Sequence, residues 1–413
     1  MFSKEIFTKL VSLLPNLPNL PIIIGEKSLE RDIDDLVALA LPELYAKNRV
    51  AVVDDVNTVD ALGRQVFRAL HGRFTPTHIT LEKNMSADME AVEYIRAHSA
   101  NCAAIIAVGS GTVSDLCKYA AHKMGVPYIV FPTAASMNGY LSANASITVD
   151  AHKTTLLAQL PRAVLCDFGV IAAAPSRLCK SGLGDSLARG TAQGDWLLSH
   201  LLLDTPYNAG VFELLADIEP ELFENAGGIA ASDPQTTITL TKLLLLSGLG
   251  MTIAGGSHPA SGGEHMIAHA YGMLKNKPPS PATLHGEEIA ITSLYMAEKQ
   301  EQILHSKPQI GIGKFPTDKI VELYGSELAT EFAAEFAGKI ARYSDADARL
   351  KNWDEIAGKI EKISIPAAKI EQILLKAKAP IKIAEIGWDE KIFANACETA
   401  RFTRNRFGFL DLT

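Results

Sequence analysis

The chain has 413 residues, of which 47% are hydrophobic and 21% are charged, and its formal net charge is -8. This length allows two domains that each bury a core, and the composition is that of an ordinary soluble globular protein. The sequence shows no basic stripe and no uninterrupted apolar run long enough to span a bilayer. We therefore expect neither nucleic acid nor anionic membranes as partners, and we expect no membrane-spanning segment.

The N-terminal segment and the cysteines indicate a cytoplasmic protein. Residues 1–24 have apolar positions that are broken by charges and prolines, which predicts neither a signal peptide nor an anchor. The five cysteines are an odd number, are widely spread and form no CxxC pair. We therefore expect reduced thiols in a core rather than disulfides or cysteine-bound zinc.

Residues 48–132 alternate between short apolar runs and helical periods. The predicted strands and helices are, in chain order, 48–55, 58–72, 78–82, 87–98, 102–109, 113–125 and 127–132, beginning with a strand. This alternation is typical of βαβ units on a parallel sheet. It predicts an α/β domain with a Rossmann-like parallel sheet.

Two carboxylates, Asp54 and Asp55, end the first predicted strand. An acidic side chain at this point can accept hydrogen bonds from an adenosine ribose and can repel a 2′-phosphate. In the usual dinucleotide fingerprint the acid follows the glycine loop, whereas here it precedes the loop. A solvated strand end explains the same pair, and Asp55 can take the role in place of Asp54.

The third predicted strand ends in AVGSGTVSD, residues 107–115. Small residues there let the backbone turn sharply into a helix, whose free N–H groups and dipole bind phosphate. The loop lacks the third glycine of the dinucleotide fingerprint and the GK[ST] ending of a P-loop. A tight turn alone explains it equally well.

A turn rich in hydroxyl groups, PTAASMNGYLSANAS, covers residues 132–146 after the fourth predicted strand. It brings Thr133, Ser136 and Ser142 near the expected carboxyl edge of the sheet, where open α/β sheets bind ligands. Turn chemistry alone also favours Ser, Asn and Gly at such positions.

From about residue 176 onward the pattern is helical and no convincing strand is predicted. Residues 236–255 predict a long apolar helix that is buried, and residues 388–412 predict a helix with a charged face. The sequence therefore predicts an α/β nucleotide-binding domain over 1–175 and an all-helical domain over 176–413. Because no low-complexity linker separates them, we expect the two to pack around a cleft.

Three segments of the second predicted domain carry side chains that can bind a divalent ion. Asp185 lies near an expected helix start, His265 and His269 share one helix face, and His285 lies near the start of a further helix. One Asp and two or three His from separate helices could converge on one ion. A helix cap also explains Asp185, and a lone His is more often structural. Four of the eleven histidines, however, lie between 258 and 285.

Five ordered motifs resemble those of one enzyme superfamily: GSGTVSD, PTAASMNGY, GLGD, HPASGGEHMIAH and LHGEE. This is the superfamily of metal-dependent polyol dehydrogenases, which includes glycerol dehydrogenase, iron-type alcohol dehydrogenase and dehydroquinate synthase. Within it the chain is most similar to the branch of sn-glycerol-1-phosphate dehydrogenases, particularly the longer bacterial type. The closing RNRFGFLDL also resembles that branch, and the similarity runs from about residue 20 to the end.

The resemblance implies an enzyme that binds NAD or NADP and one metal ion in the cleft between its domains. The residues implied for the pyrophosphate are Gly109, Gly111, Thr112, Val113, Ser114 and Asp115. Asp54 would lie toward the adenosine ribose. The residues implied for the nicotinamide side are Thr133, Ala134, Ala135, Ser136 and Ser142.

The resemblance also implies a metal and substrate site in the helical domain. Asp185, His265 and His285 match the ligands of one divalent ion, which would be Zn or alternatively Ni or Fe. Asp185 and His269 match catalytic positions that also face the substrate, and Asn138 matches a further substrate contact. The proton could arrive through His269 or through water.

Three positions depart from the superfamily pattern. Asn138 stands where the motif has a substrate-binding aspartate, His258 replaces an arginine, and Met266 replaces a second consecutive histidine. These changes leave the implied hydride and metal chemistry intact but leave the substrate open. For a substrate phosphate, His258, His269 and Lys153 are the candidate donors.

The implied activity is the reversible reduction of dihydroxyacetone phosphate to glycerol 1-phosphate, a precursor of glycerol-phosphate lipids, by a homo-oligomer. A dehydrogenase for glycerol or another polyol is the main alternative. A dehydroquinate-synthase-like lyase is less favoured, because no basic GGKT-like run follows residue 140. A binding protein without activity would not need a polar metal cluster. Metal identity and the choice between NAD and NADP stay open.

Overall fold

The computed structural model describes residues 22–26, 29, 32–44, 48–82, 85–149, 152–275, 283–311 and 313–413. The side chains of residues 152, 153, 344 and 345 lie outside this description. The expectation of no leader or anchor concerns residues that lie mostly outside these ranges. The side chain of the candidate phosphate donor Lys153 also lies outside the description.

The β-strands of the described chain form one parallel sheet and one hairpin. They are β1 Ile22–Glu26, β2 Arg49–Asp55, β3 Thr75–Leu81, β4 Ala104–Gly109, β5 Tyr128–Pro132, β6 Asn144–Val149, β7 His152–Leu157 and β8 Ala163–Asp167. The sheet has six strands in the order β1-β8-β5-β4-β2-β3, with parallel neighbours, and β6 pairs antiparallel with β7. The predicted parallel sheet is therefore confirmed.

The α-helices follow the same chain order. They are α1 Ile33–Ala40, α2 Arg64–Ala69, α3 Met89–His98, α4 Gly111–Met124, α5 Phe168–Ala173, α6 Ser176–Leu187, α7 Arg189–Leu203, α8 Gly210–Glu213, α9 Ile218–Glu224, α10 Gly227–Ala230, α11 Pro234–Ile253, α12 Gly263–Met273, α13 His285–Leu304, α14 Thr317–Tyr324, α15 Ser326–Ile340, α16 Tyr343–Arg349, α17 Trp353–Glu361, α18 Ala367–Lys376 and α19 Glu390–Thr399. A π-helical turn, Val59–Gly63, leads into α2.

The chain divides into two compact units, and the division falls inside α6. The sheet unit contains the described residues up to Gly182 together with Gly210–Gly256, and the helical unit contains Leu183–Ala209 and Ser257–Thr413. The prediction of consecutive domains, 1–175 and 176–413, differs from this division mainly in residues 210–256. The reason is that α11 packs on the loop after β5, where a Cβ added to Gly248 would lie 2.1 Å from the carbonyl oxygen of Asn138.

Helix α11 is a core helix of the sheet unit. Among the described residues it is the helix that is long and apolar enough to cross a membrane, but 78% of its apolar window is buried in the protein. The central strands are fully buried at residues 50–53 of β2 and 104–108 of β4. Continuous apolar strands of this kind are expected where helices cover a parallel sheet.

The C-terminal segment departs from its prediction. One helix over residues 388–412 is wrong, because α19 ends at Thr399 and residues 403–408 run without helix to a 3₁₀ turn at Phe409–Asp411. Buried contacts of the helical unit hold this irregular segment in place. The carboxylate of Asp411 forms an ion pair of 2.8 Å with Lys339 and accepts a hydrogen bond from the Tyr343 hydroxyl.

The cysteines agree with their prediction. All five lie among the described residues and are free thiols, and four of them are buried: Cys102, Cys117, Cys166 and Cys179.

Candidate active site

The strand order of the sheet reverses between β2 and β4, which is where open α/β sheets bind ligands. Val53 of β2 pairs with Ala107 of β4, so the two strands end at the same edge. Thr58 ties these ends together, because its hydroxyl donates to the carbonyl oxygen of Val108 at 3.0 Å. The predicted nucleotide residues at the ends of β2 and β4 are therefore neighbours.

Helix α4 begins two residues after β4, with Ser110 in an extended conformation between them. A Cβ added to Gly109 would lie 2.6 Å from the Val113 side chain, so glycine lets the helix start this close to the strand. Gly111 is half-buried and Thr112 is exposed. The first N–H groups of a helix lack intrahelical acceptors, so this start has the form of a phosphate site.

Two residues implied for the pyrophosphate instead turn their side chains into the protein. The Ser114 hydroxyl lies 2.8 Å from that of Tyr128, and Asp115 accepts from the backbone N–H of Ser146 at 3.2 Å. Asp115 also pairs at 3.3 Å with Lys118, a fully buried lysine that donates to the carbonyl of Gly139 at 2.6 Å. Burial lowers the pKa of Lys118 despite this partner. These side chains anchor the next loop.

Asp54 lies inside the sheet unit rather than at its surface. Its side chain has no exposed area, and its Oδ2 atom is 2.6 Å from Nε2 of His78. A Cβ at Gly63 would lie 1.9 Å from Oδ2, so the helical turn packs directly on the carboxylate. Asp55 accepts from the backbone N–H groups of Asn57 and Thr58. Asp54 thus has a packing role here, and its contact with a ribose stays a prediction.

Backbone contacts fix the loop after β5. A Cβ at Gly182 would lie 2.0 Å from the Ala135 carbonyl oxygen, and the Tyr140 hydroxyl donates to the carbonyl of Ala134 at 2.9 Å. Of the loop residues implied for the cofactor and substrate, Ser136 and Asn138 are half-buried. The others, Thr133, Ala134, Ala135 and Ser142, are buried.

The helical unit brings Asp185, His265 and His285 together. One ligand atom from each lies within 4.8 Å of the others, and Nε2 of His265 is 3.7 Å from Oδ1 of Asp185. A Cβ at Gly184 would lie 2.0 Å from the carbonyl oxygen of Gly286. Glycine therefore lets α6 approach the start of α13, which puts Asp185 beside His285.

Asp185 is in the last turn of α6, because this helix begins at Ser176, just after Pro175. The expectation that Asp185 lies near a helix start is wrong, and the helix-cap alternative falls with it. His285 is the first residue of α13, as the sequence predicts.

Glu264 orients the central histidine of this cluster, a role that the sequence pattern did not indicate. Its Oε1 atom lies 2.9 Å from Nδ1 of His265 and also accepts from the backbone N–H of Gly262, while Oε2 accepts from the Thr191 hydroxyl at 2.7 Å. A carboxylate on Nδ1 leaves Nε2 as the metal-binding atom. Burial lowers the pKa of His265, but hydrogen bonds to Asp185 and Glu264 outweigh it and leave the pKa raised.

The cluster fits a single transition-metal ion. Two imidazoles and one carboxylate form a donor set that Zn²⁺, Ni²⁺ and Fe²⁺ accept, and three protein ligands leave a coordination position for water or substrate. Of the described residues, only these three form such a group.

His269 lies beside the cluster, with its ring centre 5.9 Å from that of His285 and 6.1 Å from that of His265. Arg404 donates to Nδ1 of His269 at 2.9 Å. Because a guanidinium can only donate, Nδ1 is the acceptor and the neutral ring carries its proton on Nε2. Arg404 is absent from the predicted site, although it lies in the RNRFGFLDL segment that carried part of the resemblance.

His258 is a half-buried neutral side chain. Its ring stacks on Trp196 with the ring centres 5.7 Å apart. Burial and the neighbouring guanidinium groups of Arg406 and Arg404 lower its pKa to about 4. His258 therefore does not supply the positive charge of the arginine that it replaces. Met266, at the other altered position of the motif, is buried in the core.

Comparison with known proteins finds relatives that are dehydrogenases. The family model of iron-containing alcohol dehydrogenases matches residues 30–175. The chain is 34% identical over 277 residues to glycerol-1-phosphate dehydrogenase [NAD(P)+] of Halalkalibacterium halodurans, which covers 64% of this chain and 69% of that protein. It is also 34% identical over 269 residues to the enzyme of the same name from Thermococcus kodakarensis, covering 64% and 75%.

The fold has solved counterparts. An iron-containing alcohol dehydrogenase from Corynebacterium glutamicum matches with a TM-score of 0.61 at 16% identity, covering 95% of this chain and 92% of that one. A probable glycerol dehydrogenase from Sinorhizobium meliloti matches with a TM-score of 0.58 at 18% identity, covering 93% and 89%. At these identities the likeness concerns the fold alone.

Proposed function

The chain belongs to the family of NAD(P)-dependent glycerol-1-phosphate dehydrogenases, and on this premise we propose that it interconverts dihydroxyacetone phosphate and sn-glycerol 1-phosphate. The observation that carries the proposal is the group of Asp185, His265 and His285, whose ligand atoms lie within 4.8 Å of one another. His269, beside this group, gives it a side chain that can hold a proton.

We propose that Asp185, His265 and His285 bind one divalent ion, with zinc as the first expectation. Such an ion would supply a Lewis acid for the substrate oxygens. Glu264 keeps Nδ1 of His265 occupied, so that Nε2 is directed toward Asp185. The buried carboxylate thus sets both the tautomer and the direction of the ring.

Bound NADH or NADPH would supply the hydride. The backbone N–H groups at the start of α4, from Gly111 to Val113, would bind its pyrophosphate, and Ser136 would lie toward the nicotinamide. His269 would hold a proton at Nε2, since Arg404 donates to its other nitrogen. A neutral Nε2–H group can hydrogen-bond to a substrate oxygen and deliver the proton that the reduced ketone needs.

We also propose a homo-oligomeric, cytoplasmic enzyme whose product enters glycerol-phosphate lipids. Light scattering of the purified protein would give the oligomeric state. A cell fractionation would test the location.

The metal site is tested by metal analysis of three single variants, Asp185→Ala, His265→Ala and His285→Ala. Each should lose most bound metal and activity while the protein stays folded by circular dichroism. Full metal occupancy in His285→Ala would exclude this set of ligands.

The substrate is tested by comparing dihydroxyacetone phosphate with dihydroxyacetone, each with NADH and NADPH. Charge-assisted contacts to a phosphate contribute about 1.5–3 kcal/mol each, so the phosphorylated ketone should have at least a tenfold (~1.4 kcal/mol) higher kcat/KM. Equal values would favour the second candidate, a dehydrogenase for unphosphorylated polyols. The neutral His258 favours that candidate, because it lacks the positive charge of the arginine that it replaces.

A further inference from the structure

We propose that Arg404 and Arg406, in the C-terminal segment of the helical unit, form the subsite for the phosphate group of the substrate. The inference rests on the proposed function and names the part of the chain that would recognise the phosphorylated end of the triose. The sequence motifs place no cation at this point, since His258 stands where the superfamily motif has arginine.

Arg404 lies one side chain away from the metal cluster. Its guanidinium donates to Nδ1 of His269 at 2.9 Å, and the His269 ring centre is 5.9 Å from that of His285. A triose phosphate is a short molecule, so a substrate with its carbonyl at the cluster must place its phosphate close by. Arg404 therefore contacts a residue that lies beside the cluster.

Arg406 is held against the HPASGG turn. Its Nη1 atom donates to the carbonyl oxygen of Ser261, and Nη2 lies 3.2 Å from the Ser257 hydroxyl. A guanidinium has five N–H donors, and these two contacts leave others for an anion. Arg406 also acts electrostatically on His258, so the C-terminal segment brings positive charge to the position where the motif has lost it.

The two arginines have no carboxylate partner in a salt bridge among the described residues. The acids that act on them from a greater distance are Glu264 and Glu335 for Arg404, and Glu264 and Asp195 for Arg406. Burial lowers the pKa of both groups, and repulsion by Arg404 contributes for Arg406. Two half-buried cations with no carboxylate in direct contact are costly, and a phosphate dianion bound by both would offset that cost.

The backbone that carries the pair is rigidly anchored. Asp411 is buried between Lys339, at 2.8 Å, and Arg401, at 3.3 Å, and Asp195 accepts from the backbone N–H of Phe409 at 2.8 Å. These contacts fix both ends of the segment that contains the arginines. A binding group that is ordered before the ligand arrives loses less entropy on binding.

The test compares kcat/KM for dihydroxyacetone phosphate and dihydroxyacetone in the wild type, Arg404→Gln, Arg406→Gln and Arg406→Lys. We expect the ratio of the two values to fall at least tenfold in each glutamine variant, mainly through KM for the phosphorylated ketone. The ratio cancels any effect on the shared hydride step. Arg342→Gln is the matched control, because Arg342 donates to Asn405 of the same segment at 3.0 Å but is not part of the proposed subsite. The ratio of the two kcat/KM values should not change in this variant.

Inorganic phosphate gives a readout that does not depend on turnover. It should raise the melting temperature of the wild type and Arg342→Gln, and should raise that of Arg404→Gln and Arg406→Gln much less. If Arg406→Gln does not fold, Arg404→Gln and the charge-conserving Arg406→Lys still decide the question. Arg406→Lys should keep part of the preference for the phosphorylated ketone, and Arg404→Gln should lose it.

The outcomes separate this inference from the proposed function. A wild type that reduces both ketones equally well would refute the phosphorylated substrate and the subsite together. A wild type that prefers the phosphorylated ketone, with the same preference and the same response to phosphate in both glutamine variants, would overturn the subsite alone.

Discussion

Replacing Glu264 by Gln should weaken metal binding while the protein stays folded. Glu264 is fully buried and accepts three hydrogen bonds, from His265, Gly262 and Thr191. A glutamine with its amide oxygen in the Oε1 position keeps the bonds from His265 and Gly262. Its NH₂ group then faces the Thr191 hydroxyl, which can rotate to accept and can give up its bond to Glu264. The variant therefore keeps the packing and loses mainly the negative charge that lies beside His265.

The size of the effect follows from that lost charge. Carboxylates that orient a ligating histidine are worth about ten- to a hundredfold in metal affinity, or about 1.4 to 2.8 kcal/mol. The assay is competition for Zn²⁺ and Ni²⁺ against a chromogenic chelator, with the melting temperature measured in parallel. Glu355→Gln is the control, because Glu355 is exposed and pairs with Lys359 at 2.6 Å in the same unit. An unchanged metal affinity in a folded Glu264→Gln protein would refute the orienting role.

Three further predictions concern other parts of the chain. Gly248→Ala should lower the free energy of unfolding, because the added Cβ lies 2.1 Å from the Asn138 oxygen and overpacking costs about 1 to 3 kcal/mol, against at most about 1 kcal/mol gained in helix propensity. Gly250→Ala in the same helix meets only ordinary contacts at 3.6 Å, so thermal denaturation should find it neutral or stabilised, and equal losses in both would contradict the clash. Asp54→Asn should narrow the preference for NAD over NADP, and an unchanged ratio of specificity constants would assign this carboxylate to packing alone. His258 has its ordinary pKa of 6.5 in the unfolded chain and a pKa of about 4 in the folded chain. Because the unfolded chain therefore binds the proton first, the free energy of unfolding falls as the pH drops between these values. His258→Gln should therefore lose less melting temperature than the wild type between pH 7 and pH 5, and parallel losses would argue against that pKa.

The sequence indicates the central sheet well because its strands obey a local rule. Residues 50–53 and 104–108 are continuous apolar runs, and short runs of this kind between amphipathic helices are typical of buried strands. The hairpin of β6 and β7 escapes this rule, since Ser, Thr and Asn make up five of its twelve strand residues and interrupt the apolar pattern. The end of α19 escapes it too, because the irregular segment beyond Thr399 is held by contacts with Lys339 and Tyr343 far away in sequence.

The same distinction holds for the candidate site. Asp185, His265 and His285 stand in short motifs with recognisable chemistry, and the structure brings them together. Arg404 reaches His269 across 135 positions, so no local pattern pairs them. The burial of Asp54 depends on the absence of a side chain at Gly63, nine positions later, and a strand-end carboxylate gives no sign of it.

The division of the chain into units also constrains the order in which it can fold during synthesis. The loop after β5 packs on Gly248, but the ribosome makes that residue only after Leu183–Ala209, which belong to the other unit. Domains generally fold as units once their last element is available. The sheet unit must therefore wait, incomplete, while part of the helical unit emerges. A fragment cut after Gly182 would expose the apolar surfaces that α11 covers, so neither unit can be isolated by a single cut in the gene.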